Sequence, residues 1–149
     1  MQKPDSVLEM IKSELHVIFL QGKHNCGKTT TFNKLYKKWV EDDKIAIVEQ
    51  PKTRLPSKND FECILNYKGK RVALFSLGDF GFAPASAVGY YAKAECDILI
   101  VAYSLRNYIH QNSLFENRYP DVVVVAKEDC SDDEAVAKLT AEVDKIIAM

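Results

Sequence analysis

The sequence predicts an α/β protein: a three-layer α/β/α sandwich on a mainly parallel sheet, with one antiparallel hairpin. Short apolar runs alternate with stretches of helical periodicity along all 149 residues, the order expected of strand–helix units. The run Val17–Leu20 has no polar alternation, as in a parallel strand covered on both faces. Two further runs, Phe61–Tyr67 and Arg71–Leu77, flank Lys68-Gly69-Lys70, a short glycine-bearing turn that suits a hairpin. A chain of this length supports one domain over residues 1–149, with a sizeable core, and is too short for two ordinary ones.

The elements follow in order. Asp5 or Ser6 can cap a short helix, Val7 to Leu15, with Val7, Leu8, Ile11 and Leu15 along one face. After the first strand, a helix from Lys28 to about Asp42 places Phe32, Leu35, Tyr36, Trp39 and Val40 at helical spacing, as a core face. Ile45 to Val48 is a second strand. Gln50 to Asp60 carries two prolines and almost no periodicity, so it reads as a loop long enough for a switch segment or a lid. Lys52 and Arg54 within it could reach an anionic ligand. The hairpin's second strand contains Val72-Ala73-Leu74-Phe75 and runs into Ser76-Leu77-Gly78-Asp79-Phe80-Gly81, a turn with an acid. Pro84 suits the first turn of a helix through about Ala94. Asp97 opens the strand Ile98 to Tyr103, and a helical segment then leads to Tyr119. Val122 to Ala126 is the last strand, and Ser131-Asp132-Asp133-Glu134 has the form of a capping box before a closing helix through Ile147.

Composition narrows the function classes. The hydrophobic fraction of 47% and charged fraction of 28% are those of a globular protein. A formal net charge of −1 gives no global basic field for nucleic acid or an anionic membrane. The longest apolar runs are about six residues, far short of a membrane span. Cys26, Cys63, Cys96 and Cys130 form no C-x-x-C pair, and His16, His24 and His110 show no ligand spacing. Reduced thiols are the default, and the first residues lack a signal-peptide core. The expectation is a cytoplasmic protein.

The stretch from His16 to Thr30 organises the rest. An apolar run ends in Gly22-Lys23-His24-Asn25-Cys26-Gly27-Lys28-Thr29, which reads G-x-x-x-x-G-K-T between a strand and a helix. Its glycines let the backbone curl around an anion, because they adopt positive φ without a Cβ clash. The curled loop turns successive N–H groups inward, and the helix N-terminus behind it adds a favourable dipole. This segment resembles the Walker A loop of the P-loop NTPase superfamily, in particular its small, single-domain members. The resemblance implies the P-loop NTPase fold and binding of ATP or GTP through Gly22 to Thr30. It also implies a Mg²⁺ ion held in part by Thr29, with Lys28 on the β- and γ-phosphates.

In open α/β sheets ligands bind beyond the carboxyl ends of the strands. Asp43, Lys44, Asp97 and Asp121 precede strands and fall on the wrong side; Glu49, Asp79, Arg106, Lys127 and Asp129 follow them. Superfamily members usually hold the metal with an acid at the end of a hydrophobic strand. Here that position is Ser76, so Asp79 becomes the candidate second metal residue and Ser76 a candidate hydroxyl contact. The element order is also similar to that of small GTPases, although their D-x-x-G signature is missing. Ala126-Lys127-Glu128-Asp129 stands where they carry N-K-x-D and matches at Lys127 and Asp129, which makes those two candidate base readers. Kinases of nucleotides and small molecules need a cationic lid, and Arg106 is the best candidate for such a finger. Cys26 and His24 read as loop fillers, although phosphate-loop amides and Lys28 could activate the Cys26 thiol. Three function classes follow: a Mg²⁺-dependent nucleoside triphosphatase using ATP, a phosphotransferase, and a nucleotide-dependent switch that binds a protein partner.

Overall fold

The computed structural model describes residues 15–22, 27–42, 45–53, 60–76, 83–104, 123–127 and 130–149. Among them are six strands and three helices: β1 (His16–Gly22), α1 (Lys28–Val40), β2 (Ala46–Thr53), β3 (Phe61–Tyr67), β4 (Lys70–Phe75), α2 (Ala83–Lys93), β5 (Ile98–Ser104), β6 (Val123–Ala126) and α3 (Asp132–Ala148). The expected helix over residues 7–15 and the helical segment reaching Tyr119 lie outside the described residues, apart from Leu15. All six strands join one sheet in the order β2-β3-β4-β5-β1-β6. β1 pairs in parallel with β5 and β6, and β5 in parallel with β4; β3 pairs antiparallel with both β2 and β4. Only β3 runs against the rest, so the sheet is mixed and mostly parallel.

The period of two along a strand divides the core. Ile18 and Leu20 of β1 join a cluster with Phe32, Leu35 and Trp39 of α1 and with Ala135, Val136, Leu139 and Val143 of α3. Val17 and Phe19, the alternate positions, join a second cluster with Ala87, Val88 and Tyr91 of α2. Each large side chain buried in this way stabilises the fold by about 1.5–3 kcal/mol. The absence of polar alternation in β1 thus has its cause: both faces of the strand are covered. Burial pushes the Cys63 thiol up to about 12, so it stays neutral in the core. Burial, and then a 2.8 Å hydrogen bond to the Glu62 carboxylate, raises the Tyr91 phenol and ties α2 to β3.

Local chemistry sets the turns and caps. Lys68 and Gly69 both take positive φ, 51° and 86°, the conformation of a two-residue hairpin whose twist matches its strands. The Lys68 ammonium and the Tyr67 hydroxyl both donate to Asp144 Oδ1, at 3.0 and 2.8 Å, which anchors this hairpin to α3. Ser131 caps α3 as expected: its Oγ accepts from the Glu134 N–H at 3.2 Å, with Asp132, Asp133 and Glu134 in the first turn, where the helix dipole favours acids.

β2 departs from the expectation. The loop expected from Gln50 onward does not begin there: the strand continues to Thr53 and pairs Lys52 with Glu62 and Thr53 with Phe61. β2 is an edge strand with register shifts on both sides of Glu49, and Ile47 and Val48 are exposed. A sheet edge tolerates Pro51, and a strand with neither face covered carries no hydrophobic period to read. Residues 54–59 of the expected loop lie outside the described residues. Among the described residues, no helix is long and apolar enough to cross a membrane.

Candidate phosphate-binding site

β1 ends at Gly22 and α1 begins at Lys28, so the G-x-x-x-x-G-K-T stretch joins a central strand to a helix. Gly27 is the N-cap of α1 with φ 98° and ψ 16°, a left-handed conformation that a side chain disfavours. Among the described residues no side chain caps this helix, in contrast to α3. The first amides of a helix have no partner within it and suit an anion. Lys28 is buried and donates from Nζ to the Gly22 carbonyl at 3.1 Å, reaching back across the loop to its first glycine.

Topology places this end of the sheet at a switch point. β1 lies between β5 and β6; the chain leaving β1 moves to the β2–β4 side, and the chain leaving β5 moves to β6 on the other. A crevice at such a point, beyond the carboxyl ends of the strands, is where open α/β sheets bind ligands. The burial of polar groups marks the same edge. Lys28, Thr31, Asp60, Ser76 and Lys127 are the buried polar or charged residues among those described, and all five sit beyond the carboxyl ends of the parallel strands. Burial of charge is costly, so its concentration at one edge requires compensation there.

Two connected networks supply part of it. On one side of Gly27, the backbone N–H of Lys127 donates to Gln21 O at 2.9 Å, extending the β6–β1 ladder past Ala126. The Lys127 ammonium donates to Cys130 O at 3.0 Å and pairs with Asp132 Oδ1 at 3.2 Å. The Thr31 hydroxyl lies 3.1 Å from Gly27 O and 3.2 Å from the same Asp132 oxygen. A Cβ on Gly27 would sit 3.4 Å from both Lys127 Nζ and Asp132 Oδ1, so these two side chains brace the loop's last glycine.

On the other side, the Thr29 hydroxyl donates to Asp60 Oδ1 at 2.8 Å, and the Ser76 hydroxyl donates to that same oxygen at 2.9 Å. Ser76 Oγ in turn accepts from the Phe61 N–H at 2.9 Å, while the Ser76 N–H donates to Phe61 O at 3.1 Å. Asp60 is 7% exposed and Ser76 2%. Sequence reasoning missed Asp60. Sorting acids by whether they precede or follow a strand works only for strands of one direction. β3 is antiparallel, so its first residues meet the last residues of β4, as the Glu62–Phe75 pairing records. The readable signal was the hairpin itself, which reverses the rule for an acid placed before its first strand.

The remaining candidates divide plainly. Gly22, Gly27, Lys28 and Thr29 come together at the loop; Thr30 is exposed on α1, and Lys127 packs beside Gly27. Lys23, His24, Asn25, Cys26, Asp79, Arg106 and Asp129 lie outside the described residues. Glu49 does not follow its strand, because β2 continues past it and pairs it with Ile64. Ser76 spends its hydroxyl on Asp60 and Phe61, and β5 separates its strand from β1. Asp97 sits at the opposite edge as expected, accepting from the Arg71 N–H at 2.9 Å. No protein-family model matches the chain, and no significant match is found among curated proteins or solved structures.

Proposed function

We propose that this chain is a P-loop nucleotide-binding protein that holds the phosphates of a nucleoside triphosphate at Gly22 to Thr30 and hydrolyses ATP with Mg²⁺. The observation that carries this reading is the loop itself: G-x-x-x-x-G-K-T between a buried parallel strand and a helix whose N-cap is a left-handed glycine, at the topological switch point. The two core clusters of alternate strand parity support the three-layer form of the fold.

Each residue has a role that follows from its chemistry. Lys28 is a point charge already held against the loop, and a phosphate oxygen competes with the Gly22 carbonyl for its protons. The left-handed Gly27 opens the backbone so that amides of the loop and of α1 can face the anion. Thr29 offers a hydroxyl oxygen, a hard donor suited to magnesium. Among the described residues no cluster of three His, Cys, Asp or Glu side chains could hold a metal by itself. A magnesium ion takes one or two protein oxygens and completes its shell with phosphates and water. When bound, magnesium neutralises charge on the β- and γ-phosphates. Lys28 and the loop amides stabilise the charge that develops as water attacks.

A second reading has its own support. Asp60 directly follows the 54–59 segment and is bonded to Thr29, so a change of ligand at the loop has a physical route to that segment. A nucleotide-dependent switch with slow turnover would use that route. Phosphate release from ATP, followed with Mg²⁺ and with EDTA, tests the first reading. Mg²⁺-dependent release with water as the only acceptor supports the triphosphatase. Release that needs an added acceptor moves the function to phosphotransfer, and binding without turnover moves it to the switch.

A further inference from the structure

The geometry points to Asp60 as the acid of the magnesium site, positioned by Ser76; this rests on the nucleotide-binding reading above. Three observations carry it. The first is position: β3 begins where β4 ends, so the Asp60 carboxylate lies beside Ser76, the residue at the end of the hydrophobic strand β4. The strand-end serine and the acid have exchanged parts, with Asp60 supplying the charge and Ser76 holding it.

The second is the direction of the bonds. Thr29 has one hydroxyl proton, and it is donated to Asp60 Oδ1. That commitment leaves the Thr29 oxygen lone pairs for a cation and fixes which way they face, the second-shell effect that raises a ligand's basicity. Both hydroxyl donors converge on Oδ1, and Oδ2 takes part in neither bond.

The third is charge. Asp60 is only 7% exposed, and among the described residues no basic side chain forms an ion pair with it. A carboxylate taken out of water, whose partners among the described residues are hydroxyls, is costly to bury and favours the approach of a positive charge. The positive end of α1, at Thr29, offsets part of that cost, and a divalent cation offsets more.

The test uses the full chain, a nonhydrolysable ATP analogue, and Mn²⁺ as a paramagnetic stand-in for Mg²⁺. Asp60→Asn keeps the shape and an acceptor oxygen while removing the charge. It is expected to bind the analogue in EDTA as wild type does, and to bind Mn²⁺ in the ternary complex about 10- to 100-fold more weakly by electron paramagnetic resonance. Ser76→Ala keeps the charge and removes its brace, and should weaken Mn²⁺ by about tenfold with the metal-free affinity again preserved. Should Asp60→Asn fail to fold, Ser76→Ala carries the test alone. Wild-type Mn²⁺ affinity in the folded variants overturns the assignment and leaves nucleotide binding standing. Equal losses with and without metal also overturn it, since a merely structural role weakens both. A wild-type chain that binds no analogue in either condition removes the nucleotide reading and this assignment together.

Discussion

Lys28→Ala is expected to abolish triphosphate binding at concentrations where the wild-type chain saturates. Lys28 is buried at the loop, with its ammonium 3.1 Å from the Gly22 carbonyl, so it is held in place before any ligand arrives. Removing one partner of a buried, hydrogen-bonded charge pair costs about 2–5 kcal/mol, which is roughly 30- to 5,000-fold in affinity. Alanine is a strong helix former, so the first turn of α1 survives the change. Loss of binding by a folded variant is therefore the expected pattern, read by titration of a fluorescent triphosphate analogue beside a thermal melt. Unchanged affinity would falsify the assignment of the loop.

The largest stability effect is expected from Phe32→Ala. Phe32 is fully buried, one turn past Lys28 on α1, in the cluster that α1 and α3 form against the sheet. Truncating a buried phenylalanine costs about 3–5 kcal/mol, because the cavity only partly collapses. A domain typically has about 5–15 kcal/mol in all, so this one change removes a large share. Trp39, the single tryptophan, reports on the same helix: it stacks on Tyr67 with centroids 4.4 Å apart and donates from Nε1 to Thr140 Oγ1 at 3.1 Å. Urea denaturation followed by its fluorescence measures the loss. A loss below about 1 kcal/mol, the scale of a tolerated surface change, would mean that α1 is not fixed by this packing. If the loop binds nucleotide, saturating ligand should recover part of the loss, about 2.7 kcal/mol at a hundredfold excess over Kd.

Local chemistry made β1, α1, the hairpin and α3 legible. Val17–Leu20 showed a covered strand, Phe32, Leu35 and Trp39 a helix face, Lys68-Gly69 a tight turn, and Ser131 a cap. The strand and helix that flank the G-x-x-x-x-G-K-T stretch were legible for the same reason, since they are contiguous with it in the chain. What escaped depends on partners distant in sequence. The continuation of β2 through Pro51 to Thr53 exists because β3 pairs with it, and nothing in residues 50–53 signals that pairing. Strand order was equally hidden, and the insertion of β5 between β4 and β1 is what keeps Ser76 off the strand beside the loop. Asp60 escaped because its position depends on the direction of β3, which reverses the sense of before and after a strand. Lys127, a candidate base reader on its motif, also has a partner distant in sequence: it packs beside Gly27, with its ammonium engaged by Cys130 O and Asp132.

Nucleotide binding at the Gly22–Thr30 loop is tested most directly by calorimetric titration of nonhydrolysable ATP and GTP analogues, each with and without Mg²⁺. The expected result is one analogue bound per chain, tighter with Mg²⁺ and tighter for ATP. A clear preference for GTP would keep the site and promote Lys127 and Asp129 to base readers. Absence of binding by either analogue in both conditions would contradict the function proposed for the loop.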